Sequence, residues 1–460
     1  MTLPDTPLGS RPYRFWMLAL LVAIYASSSL DRLILATIAP ALKHDLRISD
    51  LQFGLLSGLA FSLLYTLGGL PVGRLADRTR RIPILAAAAA IWSVMTALSA
   101  FVGSFTQLVL LRVGLGLGEA GCTPTIYSLL SDQYPPRRRA AAIAILGIGV
   151  PIGSAMGALL GGWTSEHGGW RHAFLLAGAP GLLFALLAIT TLREPPRGHF
   201  DAVRADSDVP PMGAVLRRML SKPACLHMMA CATLCIFCNN GLNLFLPSFF
   251  VRIHGLTPFQ AGKYFGVLIG VAAAVGTTGL GLLVSRLGRN DPRWYGWGPA
   301  LILVIGTPLY AIAFLVDRFA TAYALLFAAT CIGFAFLGPM VGAIQNMVEP
   351  RMRASASAIL LVAMQLIGGG CGPAFSGWAS DLFARHAFVG DYGLSCPPGQ
   401  AIAAACRQAS ATGLREALLV CSLFFLWAAF HAAMAARTLV RDLSTLPPAP
   451  RPSVGEEAFA

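Results

Sequence analysis

Twelve apolar stretches, each long enough to cross a lipid bilayer as a helix, set what this chain can become. They run over roughly 15–39, 51–72, 83–103, 107–130, 140–162, 172–192, 224–250, 261–284, 296–316, 321–348, 354–379 and 414–436. A helix rises about 1.5 Å per residue, so a hydrocarbon core of about 30 Å needs about 20 residues. Lipid offers no partner for a bare N–H or C=O, and a long apolar helix satisfies both within itself. The chain is 56% hydrophobic and 12% charged, whereas soluble domains carry about 25% charge. The predicted fold class is an all-α membrane protein with twelve transmembrane helices.

Charge sets the orientation. Of 34 Lys and Arg, most fall in the N-terminal segment, in the connections after the even-numbered spans, and in the C-terminal tail. The positive-inside rule makes these segments cytoplasmic, both termini included. The net charge of +13 is therefore a topological signal, and no nucleic-acid partner is expected. The first span is too long and too poorly flanked for a cleaved signal peptide and reads as a retained helix. The expected location is an inner (cytoplasmic) membrane.

The chain divides at 193–222, a stretch with Pro195, Pro196, Pro210 and Pro211. Residues 1–14 form an N-terminal segment, 15–192 and 223–436 two six-helix bundles, and 437–460 a tail. The halves share one register. Ser49 and Gln52 open span two, and Thr257 and Gln260 open span eight, 208 residues later. Both pairs have the spacing of a capping box, in which a hydroxyl and a glutamine each bond a backbone N–H. At the same offset Gly54 matches Gly262, Gly58 matches Gly266, and the loop Gly73–Arg81 matches 281–289. Two pseudo-symmetric bundles in a membrane protein point to a transporter with a midplane site between them.

Four charged residues lie inside spans: Asp31 and Arg32 in span one, Arg112 and Glu119 in span four. A buried charge there costs at least roughly 2.5–3.5 kcal/mol, so it marks a cavity or a partner. Arg112 and Glu119 are two helical turns apart, about 10 Å along the axis, and each needs another partner. Asp31 and Arg32 are the candidates, though adjacent side chains point about 100° apart. The offset pairs Asp31 and Arg32 with Asn239 and Asn240, and places Leu326 and Gly333 near the equivalents of Arg112 and Glu119. The ionisable cluster therefore belongs to one half. Asp31 and Glu119 are the candidate proton carriers. Arg112 is the cation for which carboxylate and anionic substrate would compete, with Arg32 beside it. The rival reading is a fixed ion-pair network holding spans one and four together. Asn239 and Asn243 share one face of span seven, suited to substrate contact or to helix–helix bonding.

These residues resemble the major facilitator superfamily. Gly73-Arg-Leu-Ala-Asp77-Arg78-Thr-Arg-Arg81 is similar to its signature between helices two and three, with a degenerate copy at 281–289. A finer resemblance is to the Spinster-like branch. It rests on Asp31-Arg32, the stretch Ser49–Leu56, Gly118-Glu119-Ala120 with Pro124, Ser131-Asp132-x-Tyr134-Pro135, and Gly169-Trp170-Arg171-x-Ala173-Phe174. The resemblance implies alternating access of two bundles around a cavity lined by helices one, four, seven and ten. That lining would hold Asp31, Arg32, Arg112, Glu119, Asn239 and Asn243. It further implies a cytoplasmic gate of Gly73, Asp77, Arg78, Arg81 and Asp132, with Arg78 or Arg81 facing Asp132. It associates the chain with lipid-like amphipathic substrates.

The expected function is thus secondary active transport, proton-coupled, of an amphipathic organic molecule. Carriage of small organic anions such as sugar acids or aromatic acids is the first alternative; a passive scramblase or transporter-like receptor is another. No Walker loop, HExxH or paired CxxC occurs, so neither an enzyme nor a metal site is expected. Protons are the sole coupling partner expected, and the chain is expected to work as a monomer among membrane lipids. Cys396 and Cys406 fall in the long outer loop 380–413, where a disulfide is plausible in an oxidising compartment. His227, His254 and His431 read as isolated structural residues.

Overall fold

The computed structural model describes residues 9–197, 210–349, 352–399 and 403–444, and every regular element among them is helical. The long helices are α1 (Arg11–Leu46), α2 (Asp50–Ala76), α3 (Arg81–Phe101), α4 (Phe105–Ala120 continued by Cys122–Gln133), α5 (Arg137–His167) and α6 (Gly169–Thr191). The second half holds α7 (Pro223–His254), α8 (Pro258–Asn290), α9 (Trp294–Leu315), α10 (Phe319–Asn346), α11 (Ser355–Ala387) and α12 (Ala404–Leu443). Eleven of these are apolar enough to cross a membrane on length and composition alone. The twelfth, α4, is interrupted at Gly121 and carries Arg112 and Glu119.

Helices outreach the apolar segments because backbone bonding continues beyond the hydrocarbon. Thus α1 begins at Arg11, capped by Ser10, and α12 runs to Leu443. The connection expected over 193–222 contains a helix, Met212–Leu220, that the sequence did not announce. Residues 1–8, 198–209 and 445–460, parts of the expected terminal segments and connection, lie outside the described residues.

In the first bundle α1 lies along α5, α3 against α6 and α2 against α4. In the second, α12 lies against α7, α9 and α11. The bundles join where α2 meets α11, α8 meets α5 and α1 meets α7. Both capping boxes form, at Ser49/Gln52 and Thr257/Gln260, starting α2 and α8 at the same end of the molecule. The register also survives in the packing. A Cβ on Gly54 would overlap the Pro373 carbonyl of α11, and one on Gly262 would overlap the Ala158 carbonyl of α5. Small residues here let two backbones touch, the main source of helix association in lipid. Further along α2, Gly69 and Gly73 have nothing within 4 Å. The bundles are therefore closed at the Asp50 end and parted toward the Arg81 end.

Candidate functional site

Helix α1 presents its two charges in different directions, as adjacency requires. Asp31 is 1% exposed and accepts a bond from Thr96 of α3. Arg32 turns toward the space between the bundles, its side chain 33% exposed. Its Nε donates to Glu119 Oε2 of α4 at 2.7 Å, and Nη2 bonds the same oxygen. The guanidinium lies 4.9 Å from the ring centres of Phe61 and of Tyr65 on α2. Those rings stack on one another, holding the cation by its faces while its edge meets the carboxylate.

Arg112 is 3% exposed, its guanidinium over the Phe174 ring of α6 at 5.4 Å. It and Asp31 are within electrostatic reach of each other. Of the two arginines expected at the site, Arg112 sits in the wall and Arg32 faces the space between the bundles. Glu119 Oε1 and Asp31 Oδ1 are buried with no donor among the described residues. Each can take a proton without losing a hydrogen bond.

The second bundle repeats the pattern without charge. Asn239, the counterpart of Asp31, is 3% exposed, and its Nδ2 donates to Cys235 O at 2.9 Å and to Gly333 O of α10 at 3.0 Å. Its amide ties α7 to α10, so the expected substrate contact is spent on helix–helix bonding. Asn240, the counterpart of Arg32, is exposed, and Asn243 is half-buried.

The basic loop is half as predicted. Arg81 is buried and binds Asp132, and its Nε also meets Glu194 Oε1 at 2.7 Å. The backbone N–H groups of Arg81 and Ile82 donate to Glu194 as well. Burial pushes the Glu194 carboxyl up, but the Arg81 guanidinium and these N–H groups outweigh it and hold Glu194 below the usual carboxylate range. These partners of Arg81 belong to the first bundle, Arg78 is exposed, and Gly73 faces open space. Asp77 lies in the helix that continues α2, and its side chain is outside the described part of the structure. Arg81→Met is expected to cost about 3–5 kcal/mol by removing the buried cation that joins Asp132 to Glu194. Because the Glu194 pKa is depressed on folding, its contribution is present at neutral pH and fades as pH falls below about 4.3. A melting curve at pH 7 and pH 4 checks this; an unchanged midpoint at pH 7 refutes it.

A second charged cluster, at the closed end, went unread in the sequence. Asp50 is 4% exposed and accepts from Lys43, from Arg252 Nη1 and Nη2 at 2.8 and 2.9 Å, and from Ser380 Oγ at 2.8 Å. Arg252 and Ser380 come from the other bundle. Asp381 of α11 caps α2, accepting from Asp50 N at 3.1 Å and Leu51 N at 2.8 Å. In the pseudo-symmetric place Glu166 of α5 accepts from Phe259 N of α8 at 2.9 Å. Carboxylates at helix N-termini are favoured by the backbone dipoles. Cys396 and Cys406 are joined, and their loop lays Gly399, at φ +74°, against the Lys43 carbonyl. Lys43 and Arg252 sit at helix ends, where cations read as interfacial, which hid the cluster. His227 and His431, expected to be isolated, meet between α7 and α12 with Nδ1 atoms 2.8 Å apart.

The sequence profile of the Major Facilitator Superfamily matches residues 21–373. An MFS-type efflux pump of Mycolicibacterium smegmatis is 32% identical over 380 residues, covering 82% of this chain and 87% of that protein. Protein spinster homolog 1 of Homo sapiens is 29% identical over 402 residues, covering 80% of this chain and 74% of that protein. A solved bacterial homologue of the human lysosomal transporter Spinster, inward-facing and unoccupied, superposes with TM-score 0.83 at 32% identity, covering 96% of this chain and all of that one. By profile, identity and fold, this chain belongs to the Major Facilitator Superfamily, on its Spinster-like branch.

Proposed function

We propose that the protein is a proton-coupled carrier of an amphipathic molecule with an anionic head group, working by alternating access. The observation that carries this reading is the Arg32–Glu119 pair, buried on the acid's side and part-open on the cation's. An anionic head entering the cavity competes with Glu119 for Arg32. Glu119, released into a dry wall, takes a proton. Anion and proton are then loaded together, and by linkage each raises the affinity for the other. Asp31, against Arg112, is the second carboxylate available to the same proton. Rocking of the bundles about the α2–α11 and α5–α8 seams carries the loaded site across. The excess of Lys and Arg in the even-numbered connections supports cytoplasmic termini in a bacterial inner membrane, with the cavity open to the cytoplasm. The carrier needs no further cofactor and no nucleic acid, and acts as a monomer.

The test is uptake of fluorescent lysophospholipid into proteoliposomes under an imposed pH gradient. Accumulation that rises with the gradient and collapses with a protonophore is expected. Equal, gradient-independent movement would make the protein a passive scramblase and sink the proposal.

A further inference from the structure

Three polar side chains from three helices converge where the bundles part. A Cβ on Gly369 would lie 3.4 Å from Gln365 Oε1, 3.5 Å from Ser62 Oγ and 3.8 Å from Asn240 Nδ2. Ser62 belongs to α2, Asn240 to α7, and Gln365 and Gly369 to α11, so both bundles contribute. Glycine leaves the central space empty. Gln365 lies in a π-helical turn, Ala363–Gly369, a distortion of the i→i+4 ladder that occurs often at functional sites. Asn240 spends one amide hydrogen on Ile236 O at 3.0 Å, keeping its other N–H and its carbonyl oxygen. Gln365 and Ser62 make no side-chain hydrogen bond among the described residues.

We infer that Asn240, Gln365 and Ser62 form a neutral hydrogen-bonding subsite that reads hydroxyl groups on an anion held by Arg32. The inference rests on the proposed function and deepens it by naming a substrate class: hydroxyl-bearing anions. Two observations connect the subsite to the ionic one. Asn240 occupies in the second bundle the place of Arg32 in the first, and both are open to the space between. On α2, Ser62 directly follows Phe61, whose ring with Tyr65 grips Arg32. The chemistry favours hydroxyls because an O–H needs a donor and an acceptor beside it, and a carboxamide offers both. A formal charge would need a counter-ion, and Asn240, Gln365 and Ser62 carry none. A site built to bond a hydroxyl rejects the analogue lacking it, since its own polar groups are then left unpaired.

The hydroxyl-bearing anion has two sources, a lysolipid head or a small hydroxy acid, and paired probes separate them. Competition for pH-driven uptake is measured with lysophosphatidylglycerol against the lysophosphatidylpropanol lacking its two head-group hydroxyls. The second pair is tartrate against succinate. In the wild type the hydroxylated member of one pair competes at concentrations about tenfold lower or more, as two modest hydrogen bonds allow. Discrimination in the lipid pair assigns a lipid head; discrimination in the acid pair assigns a small hydroxy acid. In Gln365→Met, and separately in Gly369→Ala, which fills the space, the ratio falls to within about twofold whichever way absolute uptake moves. The wild-type ratio stands even if a variant fails to fold. Uptake of either class without hydroxyl discrimination overturns the inference and leaves the proposed function standing. No pH-driven uptake of any of the four probes overturns both.

Discussion

Glu119→Gln is expected to reduce gradient-driven uptake at least tenfold while preserving exchange of substrate across the membrane. The amide keeps a hydrogen bond to Arg32 but can neither neutralise it nor carry a proton. Competition for the guanidinium is relieved, so an anionic substrate should bind more tightly, on the order of tenfold, and lose its pH dependence. A merely structural role would move stability and leave the pH profile in place. Gradient-driven uptake and counterflow, measured on the same proteoliposomes, separate these outcomes. If Glu119→Gln still concentrated substrate in response to a pH gradient, Glu119 would not be the coupling group. Asp31→Asn is expected to act in the same direction with lower yield, because Arg112 would lose the buried anion beside it.

Asp50→Asn is expected to shift the protein toward the state open at the Asp50 end. Asp50 is the anion shared by Lys43 and Arg252, and Arg252 reaches it from the other bundle. Removing one partner of a buried network costs about 3–5 kcal/mol, because the remaining charges stay buried and unpaired. That cost falls mostly on the closed arrangement, where Arg252 is brought to Asp50. A differential of about 3 kcal/mol exceeds a hundredfold change in the ratio of two states. Spin labels at Gly103 and His386, exposed residues near that end of the two bundles, report the separation. A longer-distance population should dominate in Asp50→Asn. Glu166→Gln should shift it only slightly, since one exposed carboxylate on a helix N-terminus is worth about 0.3–1 kcal/mol. Identical distance distributions in wild type and Asp50→Asn would remove this cluster from the gate.

How much was legible follows from how local each feature is. The capping boxes at Ser49/Gln52 and Thr257/Gln260 depend on residues three apart, and both form. The register linking Gly54 to Gly262 and Asp31–Arg32 to Asn239–Asn240 was readable too, and each pair keeps its packing or exposure. Pairing was not legible. Helix and spacing alone do not separate Arg112 from Arg32, and it is Arg32 that faces the opening, because the rotation of α1 decides which neighbour turns outward. The spacing of the loop points from Arg81 to Asp132 but not to Glu194, since a residue just past α6 gives no local sign of returning to α3. The Asp50–Arg252 contact spans 202 residues, and both ends looked interfacial.

The sequence by itself determined the twelve long helices and the duplication, because in lipid each segment must satisfy its own backbone and so declares itself in its own residues. The tertiary structure alone decided which charges meet and which face the opening. Those depend on helix rotation and on two glycine-lined seams that bring α2 onto α11 and α8 onto α5, contacts made between segments that carry no mark of each other.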